Sequence, residues 1–241
     1  MTVALETQDL RKSFGGVLVI DDLSISVEHG EALGIVGPNG AGKTTWFNLI
    51  TGAVGADGGK VIFEGRDISH LSRHNRCRMG LGRTFQIPKP FVGMTVFENV
   101  LVGATHGRNM AERASYEHCV DIIEMTGLHE KVNVLAGSLT LLDRKRLELA
   151  RALATDPHVL LLDEIAGGLT EVEVKELIEE IKKLRATGLT IVWIEHIVHA
   201  LLAVVDRITV INFGQKLCEG NPRQVMNSPE VQACYMGGTP A

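Results

Sequence analysis

The nine residues GPNGAGKTT at positions 37–45 satisfy the spacing G-x-x-x-x-G-K-[ST], a loop that grips phosphate. Gly40 and Gly42 permit backbone angles that other residues resist, so that successive N–H groups can turn inward around anionic oxygens. Gly37, Pro38, Asn39 and Ala41 complete the bend, and Thr45 continues into the following helix. Lys43 is placed to reach the β- and γ-phosphates, and the Thr44 hydroxyl to ligate Mg²⁺. A second constellation, VLLLDE at 159–164, ends an apolar run with two acids. Behind a phosphate loop, Asp163 is the residue type to hold Mg²⁺ through water, and Glu164 to take a proton from an attacking water. Together they point to hydrolysis of a nucleoside triphosphate.

These residues need rigid elements to hold them. ALGIV at 32–36 is continuously apolar, as a fully buried strand would be, and leads into the phosphate loop. KTTWFNLI then reads as a helix closed by Gly52, with Trp46 as packing. Residues 1–36 read as short strands, with LSISV at 23–27 alternating apolar and polar. KVIFEG at 60–65 suggests another strand, and residues 88–155 turn helical and more polar, as an inserted subdomain. After the buried VLLL at 159–162, Thr170 and Glu173 form a capping box. That helix puts Val174, Leu177, Ile178, Ile181 and Leu184 on one face and ends at Gly188. LTIVWI at 189–194 is an apolar strand, with Trp193 as packing. RITVINFG and KLCEG form a hairpin, and Asn221 caps a helix that starts at Pro222. Buried strands alternating with amphipathic helices give an α/β fold with a largely parallel sheet.

Bulk properties narrow the function classes. The 241 residues fit one large domain or a core with an inserted subdomain. A net charge of −5 supplies no electrostatic reason to expect nucleic-acid binding. Cys77, Cys119, Cys218 and Cys234 lack CxxC spacing and read as reduced thiols of a cytosolic protein. His196 and His199 lie three apart, but no further metal ligand accompanies them. MTVALETQDL at 1–10 lacks the basic and apolar regions of a signal peptide. No apolar run reaches the length of a membrane span.

Seven stretches in order give the chain a resemblance to the ATP-binding subunits of ABC transporters. They are RKSFGG, GPNGAGKTT, GRTFQ, RKRLELARAL, LLLDE, GGLT and TIVWIEH. The resemblance implies a P-loop NTPase core with a mostly parallel sheet flanked by helices, an N-terminal antiparallel β subdomain and an inserted helical subdomain. The core would cover residues 1–87 and 156–241, and the insert residues 88–155. It also implies an ATPase that uses ATP and Mg²⁺. Phe14 would stack on adenine, Gln86 would sense Mg²⁺ and water, and His196 would contact the γ-phosphate. Two longer stretches, LGRTFQIPKPFVGMTVFENVLVG and GNPRQVMNSPEVQACYMGG, resemble the ATPases of branched-chain amino-acid uptake. Similar tails occur in lipopolysaccharide-export and in amide- or urea-uptake ATPases.

The chain departs from the family where two subunits would meet head to tail. Counting back from ELARAL puts Leu139, Thr140, Leu141, Leu142 and Asp143 in the slot of the LSGGQ-type signature, which serves the partner's ATP. LAGS at 135–138 looks similar but lies four residues too early. Thr140 keeps a hydroxyl, Leu141 and Leu142 replace both glycines, and Asp143 replaces glutamine. Asp143 would favour the helix N-terminus, and would repel a phosphate if it faced one. Two readings stay open: either the partner's site turns over more slowly, or a small backbone shift accommodates the leucines. Ile165 stands where the family has proline, and Thr170 where it has aspartate or asparagine.

The resemblance further implies two membrane-spanning permease subunits, received by the helical insert, and a second ATPase subunit. That second subunit is a distinct paralogue or another copy of this chain, and the odd signature favours the paralogue. A solute-binding protein would complete an importer, with this chain on the cytoplasmic face of the cell membrane and no nucleic acid bound. Rival readings are a lipid- or lipopolysaccharide-export ATPase and a regulatory subunit with little hydrolysis. Glu164 and His196 count against the latter.

Overall fold

A computed structural model describes residues 2–107 and 111–236. Two sheets organise it. The first is antiparallel, in the order β2-β1-β4-β5: β1 (Val3–Phe14), β2 (Val17–Glu28), β4 (Gly58–Phe63) and β5 (Arg66–Asp67). The second runs β10-β9-β3-β8-β7-β6. Its members are β3 (Ala32–Val36), β6 (Leu81–Arg83), β7 (Val159–Asp163), β8 (Thr190–Ile194), β9 (Arg207–Asn212) and β10 (Gln215–Gly220). All its ladders are parallel except β9–β10. Every residue of β3, β7 and β8 is buried, as continuously apolar strands require when both faces are covered.

Ahead of β3, the chain differs from the short strands expected. Residues 3–28 form two 12-residue strands whose ladder shifts register several times. Asp9 and Asp22 take left-handed backbone angles within them. Such irregularities break the two-residue alternation that marks a long strand, so the sequence reads as fragments.

The helices of the core are α1 (Lys43–Ile50), α2 (Arg73–Arg78), α6 (Glu171–Ala186), α7 (Val198–Val204), α8 (Pro222–Met226) and α9 (Pro229–Met236). Between β6 and β7 lie α3 (Val96–Gly107), α4 (Tyr116–Met125) and α5 (Leu141–Leu153), with short 3₁₀ turns. The reciprocal capping box of α6 is present, and its five periodic apolar residues are all buried. The β9–β10 turn places Phe213 and Gly214 at positive φ, as a tight hairpin demands. Asn221 accepts from the N–H groups of Arg223 and Gln224. Of the C-terminal stretch compared above, Gly237 and Gly238 lie outside the described residues.

One apolar cluster fills the helical side of the parallel sheet and includes Val100, Leu147, Leu160 and Trp193. The other lies under the antiparallel sheet around Trp46, Phe47, Leu5 and Ile35. The phosphate loop, the ends of β7 and β8, and the stretch after β6 therefore converge at one end of the parallel strands, where α/β sheets build ligand sites.

Candidate nucleotide site

β3 runs straight into residues 37–42, and α1 starts at Lys43 with Gly42 as its N-cap. Gly42 has φ +105, and a Cβ there would meet Ile20 Cδ1 at 2.8 Å and Val19 O at 2.9 Å. Gly40 has φ +81 and open space around its missing side chain. Packing against β2 thus excludes a side chain at Gly42, and at both positions the positive φ is one that glycine adopts without strain. No side chain caps α1, and its first helical bond runs from Trp46 N–H to Gly42 O at 2.8 Å. The N–H groups of Lys43, Thr44 and Thr45 make no hydrogen bond to a described residue, which leaves an anion receptor. Lys43 folds across the loop, donating to Gly37 O at 2.7 Å and Pro38 O at 2.9 Å. Burial holds its pKa below the ordinary lysine value. A concavity over the loop is lined by Asn39, Gly40, Lys43, Thr44 and Glu164. Ala41 lies in the same wall, and Pro38 is half-buried beside it.

Glu164 follows β7 directly and takes φ +47, a strained angle for a non-glycine residue. Its N–H donates to Ile194 O at 2.9 Å, so the ladder with β8 extends to it. Both carboxylate oxygens are bracketed. Gln86 Nε2 donates to Oε2 at 2.5 Å, and His196 Nε2 lies 2.9 Å from Oε1. Residues 86, 164 and 196, far apart in the chain, thus meet at the lip of the phosphate loop. Phe14 ends β1 with its ring half exposed and Lys12 Nζ 5.5 Å from its centroid. That leaves ring surface open to a planar ligand.

Asp163 is 3% exposed, and burial raises its pKa above the usual carboxylate value. Its Oδ2 accepts from Arg83 Nη2 at 2.7 Å. The donor set of Thr44 hydroxyl, Asp163 carboxylate and Gln86 side-chain carbonyl consists of hard oxygens. That fits Mg²⁺, which takes few protein ligands and completes its shell with water and phosphate. Among the described residues no cluster of three His, Cys, Asp or Glu suits a metal held by protein alone.

Sequence reasoning assigned no role to Arg83, Lys145 and Glu195. Lys145 is 3% exposed and donates to Gln86 O at 2.6 Å. Glu195 is 2% exposed and accepts from the N–H groups of Ala166 at 3.1 Å and His196 at 3.0 Å. Arg83 and Glu195 sit inside the quoted stretches GRTFQ and TIVWIEH. Arg83 ends β6 and Glu195 directly follows the apolar β8, and a charge at the end of a buried strand is a signal that a buried partner awaits it.

The signature slot folds differently from its sequence impression. Thr140 is the N-cap of α5, accepting from Asp143 N–H at 3.3 Å, and its hydroxyl donates to Asp143 Oδ2 at 2.6 Å. Asp143 is 2% exposed and faces no open surface; Lys131 binds it and Arg146 lies 3.8 Å away. Burial raises its pKa, but the Lys131 and Thr140 hydrogen bonds and the nearby cations outweigh that and hold it low. Leu139 and Leu142 are buried, while Leu141 is 44% exposed and rests near Gly168. At this helix start the N–H groups of Leu141 and Leu142 make no hydrogen bond to a described residue. The other two departures also have local accounts. Ile165 is buried in the core, and Thr170 caps α6 as aspartate or asparagine would.

Comparison with known proteins agrees with this geometry. The family described as ABC transporter matches residues 20–167. The high-affinity branched-chain amino acid transport ATP-binding protein BraF of Pseudomonas aeruginosa is 36% identical over 97% of each chain. LivG of Salmonella typhimurium, with the same description, is 37% identical over 97% of each. The lipopolysaccharide export system ATP-binding protein LptB of Haemophilus influenzae is 35% identical over 97% of each. A crystal structure of a nucleotide-free ATP-binding cassette from an ABC transporter superposes with a TM-score of 0.90 at 32% identity, covering 97% of this chain and 99% of that one. A phosphate loop, an acid pair and a resemblance in seven stretches, on a cassette fold shared with these relatives, place this chain in the ABC transporter family as an ATP-binding, ATP-hydrolysing subunit.

Proposed function

We propose that this chain powers import of branched-chain amino acids, or related small solutes, through separate membrane-spanning subunits. The observation that carries the hydrolytic half is the Glu164 carboxylate, bracketed by Gln86 and His196 at the lip of the phosphate loop. In this reading the N–H groups of α1 and the Lys43 ammonium hold the triphosphate, and Glu164 takes the proton of the attacking water. His196 steadies the γ-phosphate, and Phe14 stacks on the adenine. Thr44, Asp163 and Gln86 would hold Mg²⁺, which supplies charge neutralisation on the phosphates. The solute class rests on the relatives BraF and LivG.

No helix of the described residues is long and apolar enough to cross a membrane. In this reading the chain sits on the cytoplasmic face, held by two permease subunits. The seat we assign to them is the stretch after Gln86. There Ile87, Phe91, Val92 and Met94 are exposed apolar residues within eight positions, beside the cationic Arg73 and Arg151. Clustered exposed apolar side chains of this kind mark interaction surfaces. A solute-binding protein would deliver the solute from outside, and a second ATPase subunit would close over the nucleotide.

The test is ATP turnover and solute uptake by the assembled complex. Glu164→Gln is expected to lower turnover about 10²–10⁴-fold, the usual worth of a general base, while nucleotide binding persists. Unchanged turnover would overturn the assignment. Changing the second ATPase subunit's corresponding acid separately tests whether the two sites differ, and equal losses from the two changes would reject asymmetry. Lipopolysaccharide export remains the second reading because of the 35% identity to LptB. Uptake of branched-chain amino acids that fails without this chain would decide against it.

A further inference from the structure

We propose that Arg83 is the positioning residue of the Mg²⁺ carboxylate, clamping the strand that carries Asp163 to the helix that carries Thr44. The inference rests on the reading that Asp163 and Thr44 serve Mg²⁺.

Arg83 ends β6, which pairs in parallel with β7 and sets Arg83 opposite Leu161, two residues before Asp163. One guanidinium nitrogen, Nη2, donates to Asp163 Oδ2 at 2.7 Å. The other, Nη1, donates to Asn48 Oδ1 at 2.8 Å and lies 3.4 Å from Thr51 Oγ1. Asn48 belongs to α1, a little over one turn beyond Thr44. The fork therefore spans the two elements that carry the proposed metal donors. Two aromatic rings fix its plane, with Phe47 at 5.5 Å and Phe85 at 5.1 Å from the guanidinium carbon.

The pair is buried at both ends, with side-chain exposures of 7% for Arg83 and 5% for Asp163. Burying two charges costs desolvation that an apolar pair of similar size would avoid, so stability alone is a weak reason for it. Arg83 Nε is also buried and makes no hydrogen bond to a described residue, a further cost. Geometry supplies the stronger reason. With Oδ2 held, Oδ1 has no hydrogen bond to any described residue, and Asp163 shares a cleft with Thr44. Carboxylates that serve metals are oriented by such outer hydrogen bonds, whose loss typically weakens metal affinity about 10–100-fold. Arginine suits the task because its planar fork holds two acceptors at fixed separation.

The test uses the full chain carrying Glu164→Gln, so that nucleotide is not consumed, and binding of a fluorescent ATP analogue. Affinity is measured in EDTA and across a Mg²⁺ titration. Arg83→Met is expected to raise the Mg²⁺ concentration for the half-maximal effect about 10–100-fold, with affinity in EDTA changed less than about twofold. Arg83→Lys keeps the charge but loses the fork and falls between. Asn48→Ala cuts the tie to α1 alone and shifts the midpoint in the same direction by less; it also serves if Arg83→Met does not fold. An unchanged Mg²⁺ midpoint in the folded variants, or equal losses with and without Mg²⁺, would overturn the proposal. Asp163→Asn separates the two failures. If it leaves the midpoint unmoved, the assignment of Asp163 to Mg²⁺ is wrong. If it moves the midpoint while Arg83→Met does not, only the role of Arg83 is wrong.

Discussion

Two helix starts in this chain are built on opposite plans. α1 begins at Gly42, with no side-chain cap and three N–H groups that bond to no described residue. α5 begins at Thr140, whose hydroxyl takes the N–H of Asp143, while Asp143 itself is tied to Lys131. The first start is left unsatisfied by the protein, so an anion supplies what it lacks. The second satisfies part of itself and exposes a leucine where its family exposes glycine. The open start suits the chain's own nucleotide, and in the proposed assembly the partly closed one would face the nucleotide of the second ATPase subunit.

The comparison breaks first at Lys43. Lys43→Met removes the one ammonium of the open start, and nucleotide affinity is expected to fall about 10–150-fold, the equivalent of about 1.5–3 kcal/mol for a charge-assisted hydrogen bond. Equilibrium binding of a fluorescent nucleotide measures it, and a loss under twofold would mean that the loop amides suffice.

At the closed start, Asp143→Asn is expected to cost about 1–3 kcal/mol of stability at neutral pH by denaturant titration. Asp143's carboxyl is held below its ordinary value, so its stabilisation is fully present above that value and is lost as pH falls through the folded one. The gap between native and variant should therefore narrow as pH drops below about 4. A gap independent of pH would show that packing, not charge, holds the turn.

Leu141→Gly sharpens the contrast by opening the closed start. In a complex whose second ATPase subunit keeps its own acid, Glu164→Gln silences the site on this chain. Adding Leu141→Gly there should raise the remaining turnover up to about tenfold, the worth of one regained hydrogen bond. No gain would mean that Leu141 already leans clear of the phosphate, as its position near Gly168 allows. The smallest effect belongs to Thr140→Ala, about 1 kcal/mol of stability for a lost N-cap, with nucleotide affinity at the chain's own loop untouched. Thermal unfolding and the same binding assay check both halves.

The signature slot also shows where sequence reading stopped. Thr140 read as a hydroxyl still on offer, and Asp143 as a charge that favours the helix start and would repel a phosphate if it faced one, yet each is the other's partner. That pairing depends on the direction in which the first turn of α5 leaves the loop, and on Lys131 arriving from a separate 3₁₀ turn. A register of residue types carries neither fact. By contrast, the α6 capping box was legible because both partners lie within one turn of one helix.

What the sequence determined by itself is local. The phosphate loop, the buried strands and the helix caps follow from spacings of a few residues, where steric and hydrogen-bond rules act within one turn or one pleat. The order of β10-β9-β3-β8-β7-β6 was not local, and it alone brings Gln86 and His196 onto the two oxygens of Glu164. Arg83 meets Asp163 and Asn48 for the same reason: burial made a charge find partners 80 and 35 residues away, and only the packed sheet and helix decide which ones are in reach.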